Sequence, residues 1–339
     1  MSRRTISLLV LIAAFVLLIV LVPGVLLSAF AGILLAVMLR GSGNWIAHRL
    51  GLAEGWGLAI FSLALAGGIV LFFWFAAAAL AQQVSQLLDE LPRAVEAVRT
   101  YVDENGWLQR LMDSIDLQNI LPSSAGALST VSATFGLFGS LLIILFVGVY
   151  GATSPRTYVN GATMLLAPSL RPRGKRMLLE AGKALRGWLR AEFVSMAVVG
   201  VLTGLGLWAL EIPLALLLAV LAGALTFIPT LGPILAAVPA VLVSLALGPT
   251  TVAWVIGLYL AVQAVESYLV TPRVQQEAVS LPPALTIAIQ LLFGTLFGAL
   301  GLALATPIAA MVLRVVRIFY VEEYLDEEPA SEAGTLIRA

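Results

Sequence analysis

Between residues 193 and 313 the chain carries only four formal charges, Glu211, Glu266, Arg273 and Glu277. Apolar length on that scale folds only as helices whose solvent is lipid, because every backbone N–H and C=O must then be satisfied inside the segment. The same stretch is interrupted by Phe227-Ile-Pro-Thr-Leu-Gly-Pro233 and by Gly294-Thr-Leu-Phe-Gly298. A helix broken at membrane depth frees carbonyls and amides that need protein or water beside them. Such breaks therefore mark a cavity more often than a lipid-facing wall. The expected fold class is all-α, a polytopic membrane helical bundle with broken or re-entrant segments in its C-terminal half.

Composition agrees. The chain is 60% hydrophobic and 11% charged, against roughly 25% charged in a soluble domain. There is no cysteine and a single histidine, His48, which excludes disulfides, thiol chemistry and a histidine metal site. Apolar runs fall at about 6–22, 24–39, 56–81, 134–153, 193–210, 213–228, 233–248, 251–271, 284–299 and 300–319. Several are short: 284–299 reaches only about 24 Å at 1.5 Å per residue, against a hydrocarbon core near 30 Å. That run, and with it 213–228, reads as re-entrant or steeply broken, which leaves about eight full crossings. Arg3-Arg4, the core 6–22 and Ala29-Phe-Ala31 have the outline of a signal peptide, but residues 32–39 continue the apolar run, so an uncleaved segment is expected.

Charge orients the bundle. Arg3 and Arg4 precede the first run, and Arg40, His48 and Arg49 are placed in a loop after the second. The segment 154–192 carries Arg156, Arg171, Arg173, Lys175, Arg176, Lys183, Arg186 and Arg190 against Glu180 and Glu192. Region 82–133 is acidic on balance. With both termini in the cytoplasm, every basic-rich loop lies inside and 82–133 outside, as the positive-inside rule requires. The resulting division is 1–81, N-terminal spans; 82–133, a small extracytoplasmic helical region; 134–153, a span; 154–192, a basic cytoplasmic segment; 193–320, the C-terminal bundle; and 321–339, an acidic disordered tail. The expected location is a bacterial inner membrane.

Residues 82–105 place Val84, Leu87, Leu88, Leu91, Val95, Val98 and Val102 on one helical stripe. Residues 173–190 pair basic side chains with Met177, Leu178, Leu185, Trp188 and Leu189, a pattern suited to anionic headgroups. A nucleic-acid role does not fit so short a basic patch beside a span. Either segment also suits a scaffold that recruits partners, a reading from another class than transport.

Enzymatic signatures are missing. No H-E-x-x-H, G-x-S-x-G or P-loop pattern occurs, and no aspartate lies between Asp116 and Asp326. No cofactor or metal is expected. What remains is a polar set inside the bundle. Gln263 and Glu266 share one helix face. A carboxyl at that depth is costly unless it pairs, meets water or takes up a proton, so Glu266 is the leading candidate. Arg273 is its natural partner, and Gln290 is a further polar group for the same cavity. Pro229, Gly232 and Pro233 form a rigid break that either exposes carbonyls or turns a hairpin. Pro272, Gly294, Gly298, Gly301 and Pro307 serve as hinges or close-packing points. Glu192 and Glu211 fall at span ends and read as interfacial. Stripes such as Gly200-x-x-x-Gly204 permit homo-oligomers.

Taken together these motifs resemble the autoinducer-2 exporter family of membrane proteins, which includes PerM-like permeases. The matching elements are Phe227-Ile-Pro-Thr-Leu-Gly-Pro233, Gln263-Ala-Val-Glu266, Thr271-Pro-Arg273, Val279-Ser-Leu-Pro282 and the run from Gly294 to Pro307. The resemblance implies about eight spans, both termini inside, and transport without ATP hydrolysis. Family members are linked to export of the autoinducer-2 signal and others to sodium- or proton-coupled antiport. A small polar signal or a monovalent cation is thus the expected substrate. One departure is Ala191-Glu192, where members often carry Gly-Gln.

Overall fold

A computed structural model describes residues 21–72, 127–245, 247–270 and 282–320, with Leu17, Trp74 and Gln82 as isolated positions. Everything described is helix, turn or short connection. The acidic tail and nearly all of 82–126 lie outside it, as do Pro272 and Arg273.

Helix α1, Pro23–Leu50, starts on a proline and runs until Gly51 caps it in the left-handed conformation at φ 65°. Arg40, His48 and Arg49 therefore sit on helix rather than in the expected loop. Between Arg40 and Gly51 the sequence has no proline to stop the helix, and His48 and Arg49 favour its negative C-terminal end. Arg40 is paired with Glu54 at the start of α2, Glu54–Phe72. Helix α3, Ala127–Thr153, bends by 97° into α4, Pro155–Met164. Pro155 lacks the N–H that would continue α3, so the chain restarts at a new angle.

α1 packs on its neighbours along Ser28, Gly32, Ala36, Leu39, Gly43 and Ala47, all buried. A Cβ on Gly43 would lie 2.7 Å from the Leu58 Cα, and one on Gly57 would lie 2.2 Å from the Gly43 carbonyl oxygen. In lipid, where apolar burial does not drive association, such backbone-close contacts hold helices together through van der Waals packing.

A short turn, Pro168–Leu170, leads into α5, Arg171–Ala209. The basic segment and the fifth apolar run are thus one uninterrupted helix. Its buried stripe, Leu185, Trp188, Leu189, Glu192, Ser195, Val199, Thr203 and Leu207, follows the spacing of three and four. In its basic first half, Lys183 bonds Glu180 at 2.6 Å and Arg314 approaches Glu180 at 3.7 Å. Chiefly through the Lys183 bond, the Glu180 carboxyl titrates below its ordinary range.

Helices α6, Ala215–Leu225, and α7, Leu231–Leu245, are short, and α8, Pro249–Val265, ends in a π turn over Glu266–Val270. Gly200 and Gly204 face Gly223 and Ala219 of α6 within the same chain. That stripe is therefore occupied internally and is not a free surface for a second copy.

Helix α9, Pro283–Val316, breaks at Gly298, whose φ of 67° and ψ of −153° suit only glycine. The chain folds back there. Gln290 reaches Thr306 at 3.2 Å, and a Cβ on Gly301 would lie 2.2 Å from the Phe293 carbonyl oxygen. Gly298 is thus the corner, and Gly301 gives the close approach. The first arm, 283–297, is about 22 Å long at 1.5 Å per residue, too short to cross alone. By length and apolarity, five described helices suffice to span a bilayer, with α9 counted end to end although it folds back at Gly298, or six with the bent α3–α4 pair. This compares with the expected eight, and the first apolar run lies almost wholly outside the described residues.

Candidate functional site

α5, α7, α8, the 226–233 break and the α9 hairpin line a half-open cavity of about 670 Å³. Each wall arises from a local feature. The break exists because Pro229 cannot donate to a helix and Thr230 takes a left-handed φ of 69°. The Gly232 N–H then bonds the Ile228 carbonyl at 2.8 Å and starts α7. Gly232 itself is buried in backbone contact: a Cβ there would lie 1.8 Å from the Leu225 carbonyl oxygen. Pro229, Thr230 and Pro233 line the cavity, whereas Gly232 packs behind it.

From α8 come Tyr259, Gln263, Glu266 and Ser267. The wide π turn begins at Glu266, a local distortion often found at functional sites. Three donors converge on the Glu266 carboxylate: the Ser195 hydroxyl at 3.2 Å, the Gln263 amide at 3.1 Å and the Ser267 hydroxyl at 3.3 Å. Gln263 and Glu266, expected on one helix face, are joined there by a direct bond, and Ser195 ties Glu266 to α5. The proposed partner Arg273 lies outside the described residues.

Two sequence expectations change. Glu192 is not interfacial: it is 5% exposed and faces the same cavity as Glu266. Because α5 does not stop at the start of the apolar run, Glu192 is carried onto the buried stripe. Gln290 does not line the cavity. Wholly buried, it stands behind the wall and donates its amide to the Pro229 carbonyl at 2.8 Å and to the Thr306 hydroxyl. The carbonyl freed by the 229 break is therefore bound by protein rather than offered to a solute. Glu211 is exposed in the turn after α5, as its position suggested. Gly294 and Pro307 pack in the hairpin, Gly294 beside Leu302 and Pro307 fully buried.

Sequence reading missed Ser195, Thr226, Tyr259, Thr286 and Thr306, all part of the lining. Ser195 had a signal, since it sits three residues after Glu192 on one helix face. Among the described residues no group of three or more His, Asp or Glu side chains is arranged to hold a metal.

Apolar helices of spanning length around a cavity lined by a buried Glu192 and a half-buried Glu266 define a multi-pass membrane protein. Residues 6–320 match the AI-2E family transporter profile, and the chain belongs to that family. It is similar to "Putative permease PerM" of Escherichia coli (strain K12), 26% identical over 89% of this chain and 92% of that protein. It also resembles "Putative transport protein YrrI" of Bacillus subtilis (strain 168), 24% identical over 82% and 81%. "Putative transport protein MT0215" of Mycobacterium tuberculosis is 28% identical over 82% of this chain and 76% of its own length.

Proposed function

We propose that this chain moves a small polar signal molecule, or exchanges monovalent cations such as sodium and protons, without hydrolysing ATP. The solute passes along the cavity beside Pro229, Pro233, Gln263 and Glu266, and Glu266 binds the coupling cation or a proton. Arg273, outside the described residues, is the candidate charge partner of Glu266. Gln290 holds the 229 break against the hairpin, while Gly298 and Gly301 let its arms shift; Pro272, Gly294 and Pro307 frame that movement. The basic-rich segments support a cytoplasmic placement of both termini in an inner membrane.

One observation carries this reading: a carboxylate held by three donors inside a cavity, on a wide turn, in a chain of the transporter family. An intramembrane carboxyl so supported is by default a site for a cation or a proton. Reconstitution into liposomes under defined sodium, proton and autoinducer-2 gradients tests it. Wild type should dissipate at least one gradient, and Glu266→Gln should slow that flux by about tenfold or more, as loss of a charged partner implies. Equal rates at equal incorporation would remove Glu266 from the mechanism.

A further inference from the structure

The cavity is open at one end and shut at the other. Ser195 meets Glu266, and a Cβ on Gly206 would touch Leu258, so α8 runs antiparallel to α5. Ser267 therefore lies on the side of the basic half of α5. The Gln290–Thr306 bond across the Gly298 corner sets Pro283 near Arg314, which approaches Glu180 on that same half. Ser267 and Pro283 are both exposed within the lining, so the cavity opens at the basic end. At the other end Val241 and Tyr259 line the cavity and also pack on a buried apolar cluster that includes Leu207, Leu218, Val243 and Val255. These come from α5, α6, α7 and α8, and Leu207, Leu218 and Val255 have no exposed surface. Two hydroxyls are out of place in that layer. Tyr259 Oη, and Thr203 Oγ1 one turn before Leu207 on the buried stripe of α5, have no hydrogen-bond partner among the described residues. A buried hydroxyl without a bond is costly and calls for an explanation. Phenylalanine and valine would fill the same space without that cost.

We infer that this apolar layer is the shut gate of the pathway, with Tyr259 and Val241 as its inner face, and that the Tyr259 and Thr203 hydroxyls line the route once the layer parts. The inference rests on the transport reading and names residues that carry the same route beyond the cavity. Closed, the packed side chains keep water from crossing between the cavity and the far side. Open, the two hydroxyls gain the passing solute or its water as partners, so their use falls in the state that transports. The flank of the cavity does not compete as a water route. Ile256 and Leu260, exposed there, are apolar and suit the acyl chains that surround a span at that depth. The gate is thus the place where four helix ends meet, and the broken segments below it hold the solute while it waits.

The chain has no cysteine, so a single Ala237→Cys, in the lining one turn before Val241, reports which side reaches the cavity. The probe is 2-(trimethylammonium)ethyl methanethiosulfonate, which does not cross lipid, applied to membrane vesicles of either orientation. Lys183→Cys, exposed on the basic half of α5, marks the side. Ala237→Cys should react faster in the orientation in which Lys183→Cys reacts. Adding Tyr259→Ala should raise its rate from the opposite side by about tenfold or more, as removal of a large packed ring implies. Val241→Ala serves where Tyr259→Ala does not fold. Tyr259→Phe keeps the ring, so the far side should stay shut and the melting temperature should not fall. The gradient that wild type dissipates should nevertheless run down about fivefold more slowly, the worth of one neutral hydrogen bond. Equal labelling of Ala237→Cys from both sides, or labelling from neither, overturns the inference. Far-side labelling unchanged by Tyr259→Ala or, where that variant does not fold, by Val241→Ala does the same. Wild-type flux in Tyr259→Phe overturns the role given to its hydroxyl. Glu266-dependent flux with the far side untouched by either opening variant sinks the gate and leaves transport standing. One-sided labelling that Tyr259→Ala makes two-sided, with no gradient dissipated by wild type, sinks transport and leaves only a sealed cavity.

Discussion

Where α1 meets α2 and α3, backbones touch through Gly43 and Gly57, and no carboxyl among the described residues is buried. Where α5, α8 and α9 meet the 226–233 break, the chain departs from regular α-helix at Thr230, Glu266 and Gly298, and two carboxyls, Glu192 buried and Glu266 half-buried, line the cavity. Both regions face the same lipid with similar composition. The contrast is in backbone continuity: an intact helix hides its own polar groups and packs by shape, whereas a broken one must gather side chains to satisfy what it exposes. Under the proposed function the first region is scaffold, and the second is the part that would change shape around a solute.

The sharpest way to break that contrast is to overfill the scaffold. Gly57→Leu drives a side chain into the Gly43 carbonyl and the Ala47 Cβ, contacts that only backbone movement relieves. A loss of about 3 kcal/mol is expected, the upper end of ordinary overpacking. Thermal unfolding in detergent should fall steeply, while Gly68→Leu, whose Cβ meets nothing within 4 Å, should melt near wild type. Equal melting of the two variants would mean that the α1–α2 crossing does not hold the N-terminal half.

Next in size is the wall of the cavity. Gln290→Ala removes the amide that binds the Pro229 carbonyl and the Thr306 hydroxyl at the cavity wall. About 1 kcal/mol of stability should be lost with the two bonds, since the Pro229 carbonyl keeps the Leu231 N–H at 2.8 Å and both acceptors border the cavity. Flux should fall with it at equal incorporation, since Pro229 and Thr306 line the cavity. A variant that melts early yet transports normally would separate the wall from the pathway.

How far the site was legible depended on where the charges fell. Glu266 stood out because a carboxyl inside an apolar run has few bland explanations, and Gln263 three residues earlier placed itself on the same face. Glu192 was obscured by its neighbours. It sits where a basic stretch meets an apolar one, and that junction looks like a membrane boundary unless the two are read as one helix. The clue was the spacing Leu185, Trp188, Glu192, Ser195, Val199, which crosses the junction without a break. The same error placed Arg40 and His48 in a loop, although nothing before Gly51 ends their helix. Gln290 was recognised as important but assigned to the wrong side of the wall, because periodicity does not say which neighbour an amide meets. The Gly298 corner was readable from the shortness of its arms. The π turn at Glu266 was not, since it depends on Ser195 and Ser267 meeting one carboxylate.

The smallest expected effect lies outside the cavity, where α5 meets the end of α9. Glu180 is bonded by Lys183 and approached by Arg314. Its folded-state titration lies below the ordinary value of 4.5. A group shifted in that direction contributes stability above its unfolded value and loses it as pH falls through the folded one. The contribution should therefore be complete at neutral pH and drain away below about 4.5. Because the pair sits at the surface, its worth is only about 0.5 kcal/mol and shrinks with salt. Lys183→Met should accordingly lower the melting temperature slightly at pH 7 in low salt, with the deficit vanishing at pH 3 or in 1 M salt. A deficit that persists under both conditions would assign the loss to packing of the lysine stem against α5 rather than to its charge.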